Sequence, residues 1–99
     1  QLINLLKQEC DKRDINLFIV PLTHQRCPID DKNSLKFVLD SIEKEIIIIN
    51  VFDRLEELRD ENPNLFSSYF LEDNYHFSFM GNEFVANYVY REVIKFPLP

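Results

Sequence analysis

The chain has 99 residues, the size of one small domain, and its 45 % hydrophobic and 13 % aromatic content is too high for an intrinsically disordered segment. The net charge of −6, from 17 acidic and 11 basic residues, argues against nucleic acid and anionic membrane surfaces as partners. The longest apolar run, residues 46–49, is far shorter than the roughly 20 residues that span a bilayer, so no membrane span is expected.

The first two predicted elements are a helix and a strand. Apolar side chains recur at helical spacing near the start of the chain and predict a helix over residues 1–13. Residues 15–20 are almost continuously apolar, and Pro21 follows them. A run that is apolar on both faces is typical of a buried parallel strand.

A loop, a second helix and a second strand come next. Residues 23–33 are polar and predict a loop, after which Ser34 is expected to cap a helix. Residues 46–52 are again apolar on both faces and predict a second buried strand. Asp53 is then expected to stand just past the carboxyl end of that strand.

The remaining residues predict an irregular segment followed by a long helix. Residues 55–60 are expected to be helical or irregular. Residues 62–64, Asn-Pro-Asn, are expected to end that secondary structure, and residues 65–75 are expected to be mostly loop. A final helix is predicted over residues 78–95. Its apolar side is expected to consist of Phe84, Val85, Tyr88, Val89 and Val93.

This order of elements predicts an α/β fold with a right-handed crossover between two parallel strands. Two strands alone leave open hydrophobic edges, which folded proteins avoid. The chain also begins with Gln1 and not with methionine. We therefore expect residues 1–99 to be a single partial domain whose sheet is completed by an absent N-terminal half or by a swapped copy.

An acidic residue precedes a histidine by three positions in the segment after the second strand. In parallel α/β sheets, ligands gather outside the carboxyl ends of the strands. Asp73 is expected to accept the Nδ1 proton of His76, which leaves Nε2 able to take a proton from a serine hydroxyl. Ser78 is expected to cap the final helix, and Gly81 in its first turn allows close approach of neighbouring backbone.

The motif Asp73-x-x-His76-x-Ser78-x-x-Gly81-x-x-x-x-Ala86 resembles the last conserved block of the SGNH (GDSL-type) hydrolases. The resemblance implies the C-terminal portion of a three-layer α/β/α, flavodoxin-like parallel sheet. It also implies that His76 is the general base, and Asp73 its orienting acid, in a Ser-His-Asp triad.

The implied function is that of a serine ester hydrolase or O-acyltransferase acting on an ester or an acylated carbohydrate, without a metal or organic cofactor. The family's other blocks carry a serine in a Gly-Asp-Ser setting and a glycine and an asparagine of the oxyanion hole, and none of them is present. The chain alone is therefore expected to lack the nucleophile and to be inactive. The serines without a matching context are Ser34, Ser41, Ser67, Ser68 and Ser78.

Other interpretations remain open. The chain can be a non-enzymatic α/β interaction or regulatory module in which the Asp-x-x-His loop is incidental. A zinc site at His24 and Cys27, completed by Cys10 or His76, lacks the paired ligand spacing of known sites. A Cys27–His76 nucleophilic pair has no feature that activates the thiol. Cys10 and Cys27 are interpreted as thiols and not as a disulfide.

Two clusters have both a structural and a functional interpretation. Acidic residues after the second strand resemble a cation site but are more typical of a solvated helix face; they are Asp53, Glu56, Glu57, Asp60 and Glu61. Aromatic residues near His76 can line an acyl or sugar pocket but are more typical of core packing. They are Tyr69, Phe70, Tyr75, Phe77 and Phe79.

Overall fold

The computed structural model describes residues 2–27, 29–42 and 44–97. Gln1, in the first predicted helix, and Pro28, in the predicted loop, lie outside the described residues. The described residues form, in chain order, α1 (Leu2–Lys12), β1 (Phe18–Ile19), α2 (Ile29–Asp40), β2 (Ile47–Ile48), α3 (Val51–Glu61), α4 (Pro63–Ser68) and α5 (Phe79–Val93).

The two strands form a parallel pair connected through α2. Phe18 lies opposite Ile47 and Ile19 lies opposite Ile48. The pairing continues for one more hydrogen bond, in which the Ile49 N–H donates to the Ile19 carbonyl at 2.8 Å. The predicted β-α-β order is confirmed, and the mixture of helices with a two-stranded parallel sheet among the described residues agrees with the α/β class.

Both strands are shorter than predicted: β1 covers Phe18–Ile19 of the predicted residues 15–20, and β2 covers Ile47–Ile48 of the predicted residues 46–52. The side chain of Asn50 accepts the Asp53 N–H at 3.0 Å and caps α3, so the helix begins at Val51. Asp53 consequently lies in the first turn of α3 and not past the end of a strand. An asparagine cap followed by an acidic first turn favours a helix and outweighs the strand propensity of Val51 and Phe52.

Two other predicted boundaries are wrong. α2 begins at Ile29, so Ser34 lies inside the helix and does not cap it. Residues 65–68 belong to α4 and not to a loop, because Asn62 ends α3 and begins the next helix. Its N–H donates to Leu58, and its side chain accepts the Leu65 N–H at 3.2 Å.

The long final helix agrees with its prediction. Ser78 caps α5, and the five residues expected on its apolar side pack against the buried cluster. That cluster joins the carboxyl side of the sheet to the helices that follow it. Its buried members are Ile49, Val51, Leu55, Leu58, Phe66, Tyr69 and Phe70.

Gly81 is the point at which α5 meets the chain leaving α4. A Cβ atom added at Gly81 would lie 2.0 Å from the carbonyl oxygen of Tyr69 and 2.9 Å from Cδ1 of Phe77. The Ser78 N–H donates to the same Tyr69 carbonyl at 2.9 Å. The predicted close approach of backbone at Gly81 is therefore confirmed. These contacts hold Tyr69, at the start of the loop before α5, next to Ser78, at its end.

The exterior carries apolar residues as well as charge. On α1, Leu2, Leu5 and Leu6 are exposed, and the buried apolar residue of that helix is Cys10. In the part of the chain that the structure describes, no helix combines the length and the apolar character that crossing a membrane requires.

Candidate functional site

Asp73 and His76 are in contact in the loop between α4 and α5. The Oδ2 atom of Asp73 forms a hydrogen bond with Nδ1 of His76. The other oxygen, Oδ1, accepts the backbone N–H groups of Tyr75 at 2.9 Å and of His76 at 3.0 Å. One carboxylate thus fixes both the backbone turn and the ring of the histidine. A spacing of three residues is therefore enough to bring the acid and the histidine ring into contact.

The loop that carries the pair is closed by its own backbone. The Leu71 N–H donates to the His76 carbonyl at 2.8 Å, and the Asn74 N–H donates to Leu71 at 2.9 Å. Phe70 and Phe77 form an antiparallel bridge, and their rings stack with centroids 5.0 Å apart. Asn74 has a φ of +65°, a left-handed conformation that asparagine adopts more readily than most residues.

The environment of Asp73 favours its ionised form. The hydrogen bond to the His76 side chain, followed by the backbone N–H groups of His76 and Tyr75, lowers the pKa of Asp73 from 3.8 to about 2. An ionised carboxylate can only accept hydrogen bonds, so Nδ1 of His76 carries the proton in the neutral ring. Nε2 is then the basic nitrogen, as a general base requires.

The pair is open to solvent. The side chain of His76 is 77 % exposed and that of Asp73 is 46 % exposed. Catalytic sites usually exclude water around the groups that move protons. Catalysis by this pair would therefore require other elements to cover it, because both side chains are exposed among the described residues.

The loop after β1 touches the loop that carries the pair. The Gln25 N–H donates to the Asn74 carbonyl at 3.0 Å. The rings of His24 and Tyr75 lie 5.0 Å apart and are tilted by 46°. Residues 20–27 follow the carboxyl end of β1, so the loop that carries Asp73 and His76 lies beside the loop that leaves this strand. In parallel α/β proteins, ligands bind near such loops.

Arg59 holds that loop from α3, and the sequence patterns did not single it out. Its Nη1 donates to the Gln25 carbonyl at 2.6 Å, and its Nη2 donates to the His24 carbonyl at 2.9 Å. Its guanidinium lies 4.3 Å from the ring centroid of Phe66. The third donor, Nε, binds Glu56 Oε2 at 2.7 Å.

Glu56 is therefore not part of a solvated acidic face. Its side chain is only 17 % exposed and forms ion pairs with Lys32 and Arg59. Burial raises the pKa of Glu56, but the hydrogen bonds from Lys32 and Arg59 outweigh it and hold the pKa below its ordinary value. The pairing gives this carboxylate a structural role.

The serines near the loop have structural hydrogen bonds. Ser78 Oγ donates to the Ser68 carbonyl at 2.7 Å and accepts the Gly81 N–H at 3.2 Å. Ser68 Oγ donates to the Leu65 carbonyl at 2.6 Å, and Ser67 Oγ accepts from Gln25 at 2.8 Å. Among the described residues, no serine hydroxyl is hydrogen-bonded to His76.

The aromatic residues near His76 divide between core and surface. Tyr69 and Phe70 are buried, and Phe77 packs against them, as the structural interpretation predicts. Tyr75 and Phe79 are exposed. Three of the five candidates for an acyl or sugar pocket are thus core residues, and the other two lie at the surface.

A surface depression of about 520 Å³ lies between α2 and the start of α3. Leu39, Ile48 and Phe52 are among its lining residues, whereas neither Asp73 nor His76 reaches it. We do not assign it to the Asp73–His76 site, because proton transfer requires a substrate within hydrogen-bonding reach of the imidazole.

The cysteines form no disulfide with each other, and the zinc site suggested by the sequence is not found among the described residues. Cys10 and Cys27 are thiols with no disulfide between them. No group of three histidine, cysteine or acidic side chains with the geometry to hold a metal ion is found in residues 2–27, 29–42 and 44–97.

Comparisons with known proteins identify no family or relative for this chain. The chain matches no protein-family model, and neither the curated proteins nor the solved structures contain a significant match to it.

Proposed function

We propose that this chain supplies the general base and its orienting acid to a serine ester hydrolase or O-acyltransferase of the SGNH type. The observation that carries the proposal is the hydrogen bond between Asp73 Oδ2 and His76 Nδ1, in a loop that contacts the segment following β1. On this proposal the described elements are the C-terminal part of a three-layer, flavodoxin-like parallel sheet.

The reaction follows from the two nitrogens of His76. Nε2 takes the proton of a serine hydroxyl while the serine oxygen bonds to the carbonyl carbon of the ester. The ester C–O bond then breaks, and the proton passes from Nε2 to the leaving alcohol. The acyl group remains on the serine until water or a carbohydrate hydroxyl attacks it, again with His76 as base. Asp73 stabilises the imidazolium that forms in each half of the reaction.

The nucleophile and the oxyanion-hole donors come, on this proposal, from the N-terminal half of the domain. Two features favour such a partner: His76 is 77 % exposed, and the sheet has two strands within the described residues. A partner that pairs with the open edge would complete the sheet and cover the histidine.

The test uses the polypeptide that carries these residues together with the segment that supplies the serine. His76→Ala should reduce hydrolysis of an aryl ester by a factor of about 10³ or more while leaving the circular dichroism spectrum unchanged. Asp60→Asn, which alters an exposed carboxylate on α3, should leave the rate unchanged. Full activity in the folded His76→Ala protein would remove the catalytic role.

A second candidate function is that of a non-enzymatic interaction module. It is favoured by the double role of Asp73, whose Oδ1 holds two backbone N–H groups and shapes the turn without any catalysis. The exposed Leu2, Leu5 and Leu6 of α1 also suit a partner surface. On this alternative the chain is a monomer in sedimentation experiments before it meets its partner, and His76→Ala alters no ester hydrolysis.

A further inference from the structure

We propose that Arg59 is a positioning residue for the Asp73–His76 pair and acts through the loop that follows β1. The inference rests on the proposed function, because positioning concerns a pair that functions as acid and base. The residues that connect Arg59 to the pair are Gln25 and Asn74.

Arg59 fixes the backbone of that loop at two consecutive carbonyls. Nη1 donates to Gln25 at 2.6 Å and Nη2 donates to His24 at 2.9 Å. The planar fork of a guanidinium can bind both oxygens at once, whereas the single ammonium of lysine cannot reproduce that geometry. The carbonyls are therefore held in one orientation relative to α3.

The guanidinium itself is held on two further sides. Glu56 Oε2 accepts a hydrogen bond from Arg59 Nε at 2.7 Å. The ring of Phe66 lies against the guanidinium, with its centroid 4.3 Å from Cζ. Phe66 is almost fully buried, and Glu56 is anchored in turn by an ion pair with Lys32. The side chain of Arg59 is thus a rigid support for the loop.

The loop that Arg59 holds makes two contacts with the turn between Asp73 and His76. Arg59 binds the carbonyl of Gln25, and the N–H of the same residue donates to the carbonyl of Asn74 at 3.0 Å. The ring of His24 packs against that of Tyr75 at 5.0 Å. Asn74 and Tyr75 are the two residues between Asp73 and His76, so both contacts act on the turn that sets the geometry of the pair.

The experiment compares Arg59→Lys and Arg59→Gln with Arg54→Lys, a control on the same helix. Arg54 pairs with Glu57 and Glu61 and does not touch the loop. Each folded protein is studied by carboxyl NMR titration of Asp73 and by hydrogen exchange at the His76 amide, which donates to Asp73. Ester hydrolysis is measured in the polypeptide that includes the serine.

The Arg59 variants should raise the pKa of Asp73 from about 2 toward 3.8, because a loosened turn weakens its hydrogen bonds. Exchange at the His76 amide should accelerate by a factor of about 10 or more, and kcat should fall by about 10- to 100-fold with little change in KM. The Arg54 control should resemble the wild type in all three measurements.

An unchanged pKa of Asp73 and unchanged exchange at His76 in a folded Arg59 variant would overturn the inference. Failure of both variants to fold would also overturn it, because Arg59 would then support the whole fold. The titration and the exchange need no turnover, so they distinguish this result from a failure of the proposed function. A protein without ester activity whose Asp73 responds to Arg59→Lys would refute the enzyme but retain the positioning.

Discussion

Asp73 binds His76 twice, through the backbone N–H at 3.0 Å and through the ring Nδ1. The two oxygens of one carboxylate therefore determine both where the imidazole is placed and which nitrogen carries its proton. A charged acceptor strengthens both bonds relative to a neutral one. The same bonds keep Asp73 ionised well below its ordinary pKa, with a consequence for stability that can be measured.

Asp73→Asn should remove a contribution to stability that depends on pH in a defined window. The pKa of Asp73 is lower in the folded protein, about 2, than its ordinary 3.8. The contribution is therefore fully present above about pH 4, is lost as the pH falls through 2, and is absent below that value. Urea denaturation at several pH values should show the difference between wild type and Asp73→Asn shrinking across this window.

The matched control for the pH experiment is Asp60→Asn, on the exposed face of α3. Its difference in unfolding free energy from the wild type should change little over the same range. A wild-type advantage over Asp73→Asn that is equally large at pH 6 and below pH 2 would show that ionisation of Asp73 does not stabilise the loop.

Gly81→Ala should destabilise the protein because the added Cβ would lie 2.0 Å from the carbonyl oxygen of Tyr69. A backbone atom cannot rotate away, so α5 must move from the loop. We expect Gly81→Ala to lower the free energy of unfolding by about 1–3 kcal/mol. At an unobstructed helix position, the same substitution usually raises it by about 1 kcal/mol.

The control for Gly81→Ala is Asn82→Ala, one position further along α5 at an exposed site. It should change the unfolding free energy by no more than about 0.5 kcal/mol. A Gly81→Ala protein as stable as the wild type would mean that the loop and α5 do not meet as closely as described.

Ser78→Ala should destabilise the protein without removing ester hydrolysis. Ser78 Oγ caps α5 at the Gly81 N–H and donates to the Ser68 carbonyl, so its loss should cost about 0.5–2 kcal/mol. Ser34→Ala is the matched control, because Ser34 lies inside α2 and its loss should have little effect on thermal stability. Loss of ester hydrolysis in a folded Ser78→Ala protein would make Ser78 the nucleophile and contradict the proposed source of the serine.

Features that depend on neighbours in the sequence were predictable. The helical spacing predicted α1 and the apolar side of α5, and an acid three residues before a histidine predicted the Asp73–His76 contact. Gly81, the one glycine of the chain, was expected to allow a close backbone approach, and Tyr69 makes it. In each case the pattern lies within one turn or along one helix face.

Features that depend on competition between elements were not predictable. The cap at Asn50 turns Val51 and Phe52 into the start of α3, although both residues have high strand propensity. The contact of Arg59 with His24 and Gln25 joins residues that lie 34 and 35 positions apart. Local spacing carries no information about such a contact, so the support of the loop became visible only in the fold.

The most direct test of the central claim is covalent labelling by a fluorophosphonate, read by mass spectrometry. The reagent is applied to the polypeptide that carries these residues together with the segment that supplies the serine. The account predicts that one serine outside residues 1–99 is phosphonylated, and that His76→Ala slows the labelling by a factor of about 10³ or more. Equal labelling rates in the wild type and in folded His76→Ala, or no labelled serine at all, would contradict it.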